Sequence, residues 1–451
     1  MKFVHISDLH LGKRLREISL IEDQAFILDE ILNIIEKEKP EAVIIAGDVY
    51  DKSVPSADAV RLFDDFISRL ADGSRNIFII SGNHDSAERL AFGSRLFDKS
   101  GVHISPVYDG NVTPVTLEDE YGPVDIFMLP FVKPVNVKAC FPEEEISSYT
   151  DAVGCAISHM PIDRSRRNVL VTHQFVTGSA RSDSETISVG GTDNVDAKAF
   201  RDFDYVALGH LHRPQQCGRE NIRYCGTPLK YSFSEADDEK SVTIVSLFGK
   251  GEAAACPKAQ LPQSSDGLTL HAGAVTRRTT GGLSIVRKQS LRPLRGHLPL
   301  HKGGLGSCNF VCTKRFKGYV SHLVSAVDIK TAALVPLHDM VNIRGSYDEI
   351  TSRSFYEKTT WQSDFVRITL TDEEEIPGVG DKLRTIYKNW LQIVYDNKRT
   401  RNNNEIISID SEVQESPFDL FARFYELQNN SPLSEEQADY MHEIISRESL
   451  S

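Results

Sequence analysis

Five short stretches carry side chains that bind cations or move protons: Asp8-Leu9-His10, Gly47-Asp48, Gly82-Asn83-His84-Asp85, His173 and Gly209-His210-Leu211-His212. Carboxylate, imidazole and amide donors without cysteine suit Mn²⁺, Fe or Zn rather than a thiolate site. Seven of them, Asp8, His10, Asp48, Asn83, His173, His210 and His212, are too many for one ion. They suit two ions about 3.5–4 Å apart, with Asp48 as the shared carboxylate. Such a pair lowers the pKa of a water between the ions and clamps phosphate oxygens. His84 need not bind metal; its imidazole could protonate a leaving oxygen or stabilise charge developing on phosphate. Asp85 is expected to orient its neighbours. Taken singly, each has an ordinary alternative: a turn at Gly82-Asn83, a helix cap at Asp8, a hydrogen-bonded histidine at a strand end. Their joint recurrence argues for a common site.

The elements that would position these residues follow from hydrophobic periodicity. Lys2 to Ser7 alternates as a first strand. Residues 21–38 place Ile27, Leu28, Ile31, Ile34 and Ile35 at helical spacing, and Pro40 stops them. Ala42 to Ala46 and Asn76 to Ile80 read as buried strands, separated by a helix with Val60, Phe63, Phe66, Ile67 and Leu70 on one face. Further strands are expected at Asp125–Leu129, Asn168–Thr172 and Asp204–Leu208. Five strands thus end in Asp, Asn or His. In an open α/β sheet, ligands bind outside such strand ends, so the residues read as converging on one sheet.

The chain has 451 residues, 40% hydrophobic and 25% charged, enough for two or three domains. No apolar run approaches the roughly 20 residues of a membrane span. Asp8 interrupts the apolar stretch that a signal peptide would need. Seven scattered cysteines form no disulfide framework, which fits a reducing compartment and a cytoplasmic location. A net charge of −13 disfavours coating nucleic acid by bulk charge but leaves room for a local basic groove. Lys13, Arg14, Arg16, Arg89, Arg164, Arg166 and Arg167 flank the motifs and could hold phosphates without reading bases.

In this order, the motifs resemble the calcineurin-like metallophosphoesterase superfamily. The resemblance implies an α/β fold: a metallophosphoesterase β-sandwich flanked by helices (α/β/β/α), with a smaller C-terminal α+β capping domain. It also implies Asp8, His10, Asp48 and His212 on one metal, and Asp48, Asn83, His173 and His210 on the other. The flanking text Asp8-Leu9-His10-Leu11-Gly12-Lys13, Thr177-Gly178-Ser179, Ser188-Val189-Gly190-Gly191 and Tyr224 to Glu235 is similar to the SbcD nucleases. That family pairs with a coiled-coil ATPase, SbcC, and cleaves DNA ends and hairpins, usually with Mn²⁺. It acts as a 3′→5′ double-strand exonuclease and single-strand endonuclease in repair, recombination and replication. Membership would imply a homodimer within a heterotetramer, with Leu90, Phe92, Leu96 and Phe97 fitting a dimer surface, and a nucleoid-associated place in the cytoplasm. Two alternatives stand beside it: another binuclear-metal phosphoesterase acting on nucleotides or phosphoproteins, and a non-catalytic DNA-end scaffold.

The expected organisation is a nuclease domain at 1–252, an atypical basic insertion at 253–333, a capping domain at 334–412 and a helical partner-docking segment at 413–451. The insertion holds 12 Lys/Arg against 2 Asp/Glu, a net of +10, so the rest of the chain sums to −23. Its Gly/Ser/Thr-rich text without clear periodicity reads as largely disordered. The spacing of His297, His301, Cys308 and Cys312 matches no zinc signature. Downstream, Asp364–Leu370 alternates as a strand, residues 380–394 read as helical, and Ile406 to Ile409 could form another strand.

Overall fold

The computed structural model describes residues 1–249 apart from 74, 181, 183–184 and 186–192. It also describes short strand segments between 270 and 323, residues 327–397, and isolated positions from 418 to 441. The described chain forms two units, Met1–Leu337 and His338–Ser451.

The first unit opens with β1 (Lys2–Ile6), α1 (Ile21–Glu38), β2 (Ala42–Ala46), α2 (Ala57–Ala71), β3 (Asn76–Ile80) and β4 (Val102–Ile104). It continues with β5 (Val115–Asp119), β6 (Gly122–Leu129), α3 (Tyr149–Ser158), β7 (Arg167–His173), β8 (Tyr205–Gly209), β9 (Gln215–Cys217), β10 (Arg219–Tyr224), β11 (Ser241–Leu247) and β12 (Val327–Ala333). These strands make two six-stranded sheets, not one. The first has the order β12-β11-β1-β2-β3-β4 and the second β9-β10-β8-β7-β6-β5. The expectation of a single sheet fails for a reason of topology. β6 follows β4 but pairs with β5 and β7, so the strands carrying His173 and His210 belong to the second sheet.

Alternation along the strands explains the packing. Phe3, Ile44, Ala46, Phe78 and Ile80 of the first sheet meet Val124, Ile126, Val169, Val171, Tyr205 and Ala207 of the second in one core. Intervening residues such as Phe127, Leu170, Val206 and Leu208 face the other way, onto Ala152, Val153, Ala156 and Ile157 of α3. Because strand side chains alternate, a strand buried on both faces must be apolar throughout, as β2 and the middle of β7 are. Helix α1 turns Ile27, Leu28, Ile31 and Ile35 inward as expected; on α2, Phe63, Phe66 and Leu70 are buried but Val60 is exposed.

Within the first sheet β1, β2 and β3 run parallel, and within the second β7 and β8 do. Their C-terminal ends fall at one rim of the sandwich, where His173 meets Ala46 and His210 meets Asp8.

The stretch expected to be disordered overlaps β12. Val327–Ala333 pairs along its full length with β11 as the edge of the first sheet, and Val311–Phe316 pairs with Tyr319–Leu323 before it, so strand structure lies within the stretch. Most of the remainder of 253–333 lies outside the described residues, as do Ile406–Ile409 and nearly all of 413–451.

The second unit contains a parallel three-stranded sheet of β13 (Met340–Gly345), β14 (Phe365–Leu370) and β15 (Trp390–Tyr395), with α4 (Val379–Arg384) between the last two. The helix expected over 380–394 is only its first turns. Residues 390–395 are strand because Trp390-Leu391-Gln392-Ile393-Val394-Tyr395 is β-branched and aromatic and pairs with β14.

Candidate metal centre

Each of the five stretches lies at or just beyond a strand's C-terminal end at the shared rim, and hydrogen bonds knit these ends together. Asp8 N donates to Gly47 O at 3.0 Å and His10 N to Asp48 O at 3.0 Å. The second sheet is tied in by His210 N, which donates to Asp8 Oδ1 at 3.0 Å, and by His173 Nδ1, which donates to Ala46 O at 2.9 Å. Asp8, His10, Asp48 and His210 all have positive φ, at 54°, 45°, 48° and 106°. Non-glycine residues enter that region at a cost of about 1–3 kcal/mol, and such strain gathers where function demands a particular side-chain placement. Gly82 and Gly209 are required by proximity: a Cβ at the first would overlap Asp48, and at the second Ala46 O.

All seven expected ligand residues and His84 lie at this rim. His10 Nε2 lies 3.2 Å from His212 Nε2 and 3.7 Å from Asp48 Oδ2. Asp48 Oδ2 is 3.3 Å from His173 Nε2. Asn83 Oδ1 sits 3.0 Å from His173 Nε2 and 2.9 Å from His210 Nδ1. Asp8 with His10 and His212, His10 with Asp48 and His84, and Asp8 with Asp48 and His173 each gather ligand atoms within 4.8 Å of one another. Two facing imidazole nitrogens, neither of them Nδ1, cannot both carry protons. A cation between them resolves the contact, so the donor set fits the two divalent metals that a metallophosphoesterase fold implies.

The electrostatics agree. Burial opposes ionisation of Asp48, but His173, His10 and His84 overcome it and hold its carboxyl well below the usual range. Burial likewise opposes protonation of His173, yet the Asp48 charge and hydrogen bond lift it to about 9. Burial raises Asp8 to about 6, lowers His210 to about 3 and keeps His10 well below an ordinary imidazole. A proton on His173 thus balances a buried carboxylate in a place where a divalent cation would supply the same charge.

The half-buried His84 stands with its ring 4.8 Å from that of His10, edge to face. Its Nδ1 lies 3.0 Å from Asp51 O. A carbonyl only accepts, so Nδ1 carries the proton and exchange with a substrate falls to Nε2. Its place beside His10 and Asp48 also puts it within reach of a cation.

Several supporting residues were weakly or not at all signalled by the sequence. Asp85 accepts backbone N–H groups from Val49 at 3.1 Å, Tyr50 at 2.9 Å and Gly82 at 2.9 Å. Gln24, buried on α1, donates to His10 O at 2.8 Å and accepts from Gly12 N at 2.9 Å. A glutamine at helical spacing with the apolar residues Ile27, Leu28 and Ile31 was the available signal.

The basic residues divide. Arg167 is buried and paired with Asp119, so it cannot meet a phosphate. Arg164 pairs with Asp202, and Arg166 with Asp125 and Asp163. Arg14, Arg16 and Arg89 are exposed, while Lys13 reaches Asp51 at 2.8 Å.

The chain is similar to known proteins. Residues 1–214 match the calcineurin-like phosphoesterase model, and residues 336–429 match the type 5 capsule protein repressor C-terminal domain model. Two relatives that bear the name of the SbcD component of the SbcCD nuclease, from Staphylococcus saprophyticus and Staphylococcus epidermidis, are each 38% identical over 251 residues. The match covers 55% of this chain and 66% of each relative, just under two thirds of their length. A dimetal phosphatase structure from Danio rerio aligns over 54% of this chain and 92% of its own, at 12% identity and a TM-score of only 0.33.

Proposed function

We propose that this chain, whose residues 1–214 match the calcineurin-like phosphoesterase model, is the nuclease component of an SbcCD-like complex, hydrolysing phosphodiesters at DNA ends and hairpins. Two relatives at 38% identity bear the name of that component. The observation that carries the reading is the 3.2 Å approach of His10 Nε2 to His212 Nε2, beside an Asp48 carboxylate within 3.7 Å of His10 and 3.3 Å of His173.

Asp8, His10, Asp48 and His212 would hold one divalent cation, and Asp48, Asn83, His173 and His210 the other, with Mn²⁺ the metal we favour. Such a pair supplies Lewis-acid activation of water and neutralises charge on a phosphodiester. The protein's part is positional. Strand ends, strained at Asp8, His10, Asp48 and His210, bring seven donors to one rim, and Asp48 turns one oxygen to the backbone and the other toward His10 and His173. His84 carries its proton on Nδ1 and presents Nε2 to accept or give one at the phosphate, a role that calls for no metal bond.

The partners proposed are double-stranded DNA ends, an SbcC-type coiled-coil ATPase and a second copy of this chain. Exposed Arg14, Arg16 and Arg89 suit phosphate contacts, and Phe92 and Leu96, 83% and 73% exposed, suit a dimer surface. No helix among the described residues is long and apolar enough to cross a membrane. A nucleoid-associated place in the cytoplasm fits the role.

The test is cleavage of a hairpin DNA by purified protein with Mn²⁺, with and without the ATPase partner. Cleavage that disappears on chelation and returns with Mn²⁺ is expected. Turnover of p-nitrophenyl phosphate with no action on DNA in either condition would overturn the substrate assignment and leave a phosphoesterase of another class.

A further inference from the structure

His212 is gripped by residues outside the five ligand-bearing stretches. Its ring Nδ1 lies 3.3 Å from Glu235 Oε1. Its carbonyl accepts from Lys240 Nζ at 2.9 Å and from Thr227 N at 3.1 Å. Glu235 and Lys240 close on each other, Oε2 to Nζ at 2.6 Å, and Lys240 Nζ also meets Thr227 Oγ1 at 2.9 Å. None of the three is open to water: Glu235 is 0%, His212 2% and Lys240 5% exposed.

An ion pair this deep is a poor source of stability, because stripping two charges of water costs about as much as their attraction returns. Its consequence here is geometric. A carboxylate whose other oxygen is paired with an ammonium is ionised and can only accept, so the proton of His212 resides on Nδ1 and the lone pair on Nε2. That lone pair is the one facing His10 Nε2 at 3.2 Å. The two facing rings are held unequally, since His10 Nδ1 has no hydrogen-bond partner among the described residues. Carboxylates behind a ligating histidine fix its tautomer and ring orientation, and removing them typically weakens metal affinity 10–100-fold.

We propose that Glu235 and Lys240 form a positioning pair for His212, setting the cation affinity of the Asp8–His10–His212 site and not that of the Asn83–His173–His210 site. Glu235 fixes tautomer and ring, while Lys240 balances the carboxylate and anchors the His212 carbonyl. The inference rests on the two-cation reading above. It goes beyond that reading in making the two sites unequal, with one tuned by residues 23 and 28 positions downstream of its ligand.

The experiment is Mn²⁺ titration of the full chain by calorimetry, with the electron paramagnetic resonance spectrum followed at each equivalent. Glu235→Gln keeps the size of the side chain, and its amide oxygen can still accept from His212 Nδ1–H. Glu235→Ala cannot. The double variant Glu235→Gln/Lys240→Met removes both charges together, leaving neither buried alone. One Mn²⁺ is expected to bind each variant as in the wild type. The second should weaken 10–100-fold in Glu235→Ala and less in Glu235→Gln, the spin-coupled pair giving way to a mononuclear spectrum. Two sites at wild-type affinity in the double variant, or equal weakening of both, would overturn the pairing while leaving the two-cation reading intact. A wild-type chain that takes up no Mn²⁺ would remove both.

Discussion

Asp48 Oδ1 accepts the backbone N–H of His84 at 2.9 Å. The two turns are locked from the other direction as well, because Asp85 accepts from Val49 N and Tyr50 N at 3.1 and 2.9 Å. Each turn's carboxylate thus binds the other turn's backbone. The lock commits one oxygen of Asp48 and leaves Oδ2 pointing between His10 and His173. A shared carboxylate needs this division, since an oxygen already spent on the backbone fixes where the other one lies.

Replacing Asp48 by Ala should release both cations, because Asp48 is the residue common to the two proposed ligand sets. Metal analysis after dialysis is the check. Two tightly retained ions would refute its bridging role.

His84→Ala should behave in the opposite way. Both ions stay bound while DNA cleavage falls by about 10²–10⁴-fold, the usual size of a lost general acid or base. Parallel metal analysis and single-turnover cleavage decide the matter. A proportionate loss of metal would make His84 a ligand instead.

Gly82→Ala forces a methyl group onto the Asp48 carboxylate and amide. Overpacking of this kind costs about 1–3 kcal/mol, and here it should also weaken Mn²⁺ binding. Calorimetric melting and Mn²⁺ titration measure the two effects. An unchanged melt with unchanged affinity would show that the lock between the turns yields freely.

Asp119 gives a prediction about pH. Burial opposes its ionisation, but hydrogen bonds from Arg167 and the Met1 ammonium outweigh this and hold its carboxyl below the usual range. The unfolded chain ionises such a carboxyl near pH 3.9. A depressed folded value means stability that is present in full above about pH 4 and lost as the pH falls further. Asp119→Asn strands the buried Arg167 and should cost about 3–5 kcal/mol at pH 7. Urea unfolding at pH 7 and pH 3 should show the gap between wild type and variant closing in acid. A gap of constant size would contradict the ion-pair account.

The residues that meet at the rim were legible in the chain because strand ends announce themselves. An apolar run must stop where the backbone leaves the sheet, and here each stop is followed within a few residues by Asp, Asn or His. Residue type and spacing could therefore name Asp8, His10, Asp48, Asn83, His173, His210 and His212 without any coordinates. Local pattern could not assign strands to sheets, since β3 and β7 both contain a buried apolar run and nothing in such a run names its pairing partners. The same limit misread residues 390–395, whose apolar spacing fits a helix until pairing with β14 makes them strand. It also left Arg167 among the phosphate contacts, because burial against Asp119 is a property of the folded chain.

The sequence by itself determined the chemistry available, carboxylate, imidazole and amide at five strand ends, because that depends on residue type and nearby periodicity. Only the tertiary structure decided how those groups face one another. The 3.2 Å meeting of His10 with His212, the interlocked turns of Asp48 and His84, and the hold of Glu235 and Lys240 on His212 join residues up to about two hundred positions apart. The first arises where the two sheets close face to face and the second where β2 and β3 pair as neighbours, and no local pattern encodes either pairing.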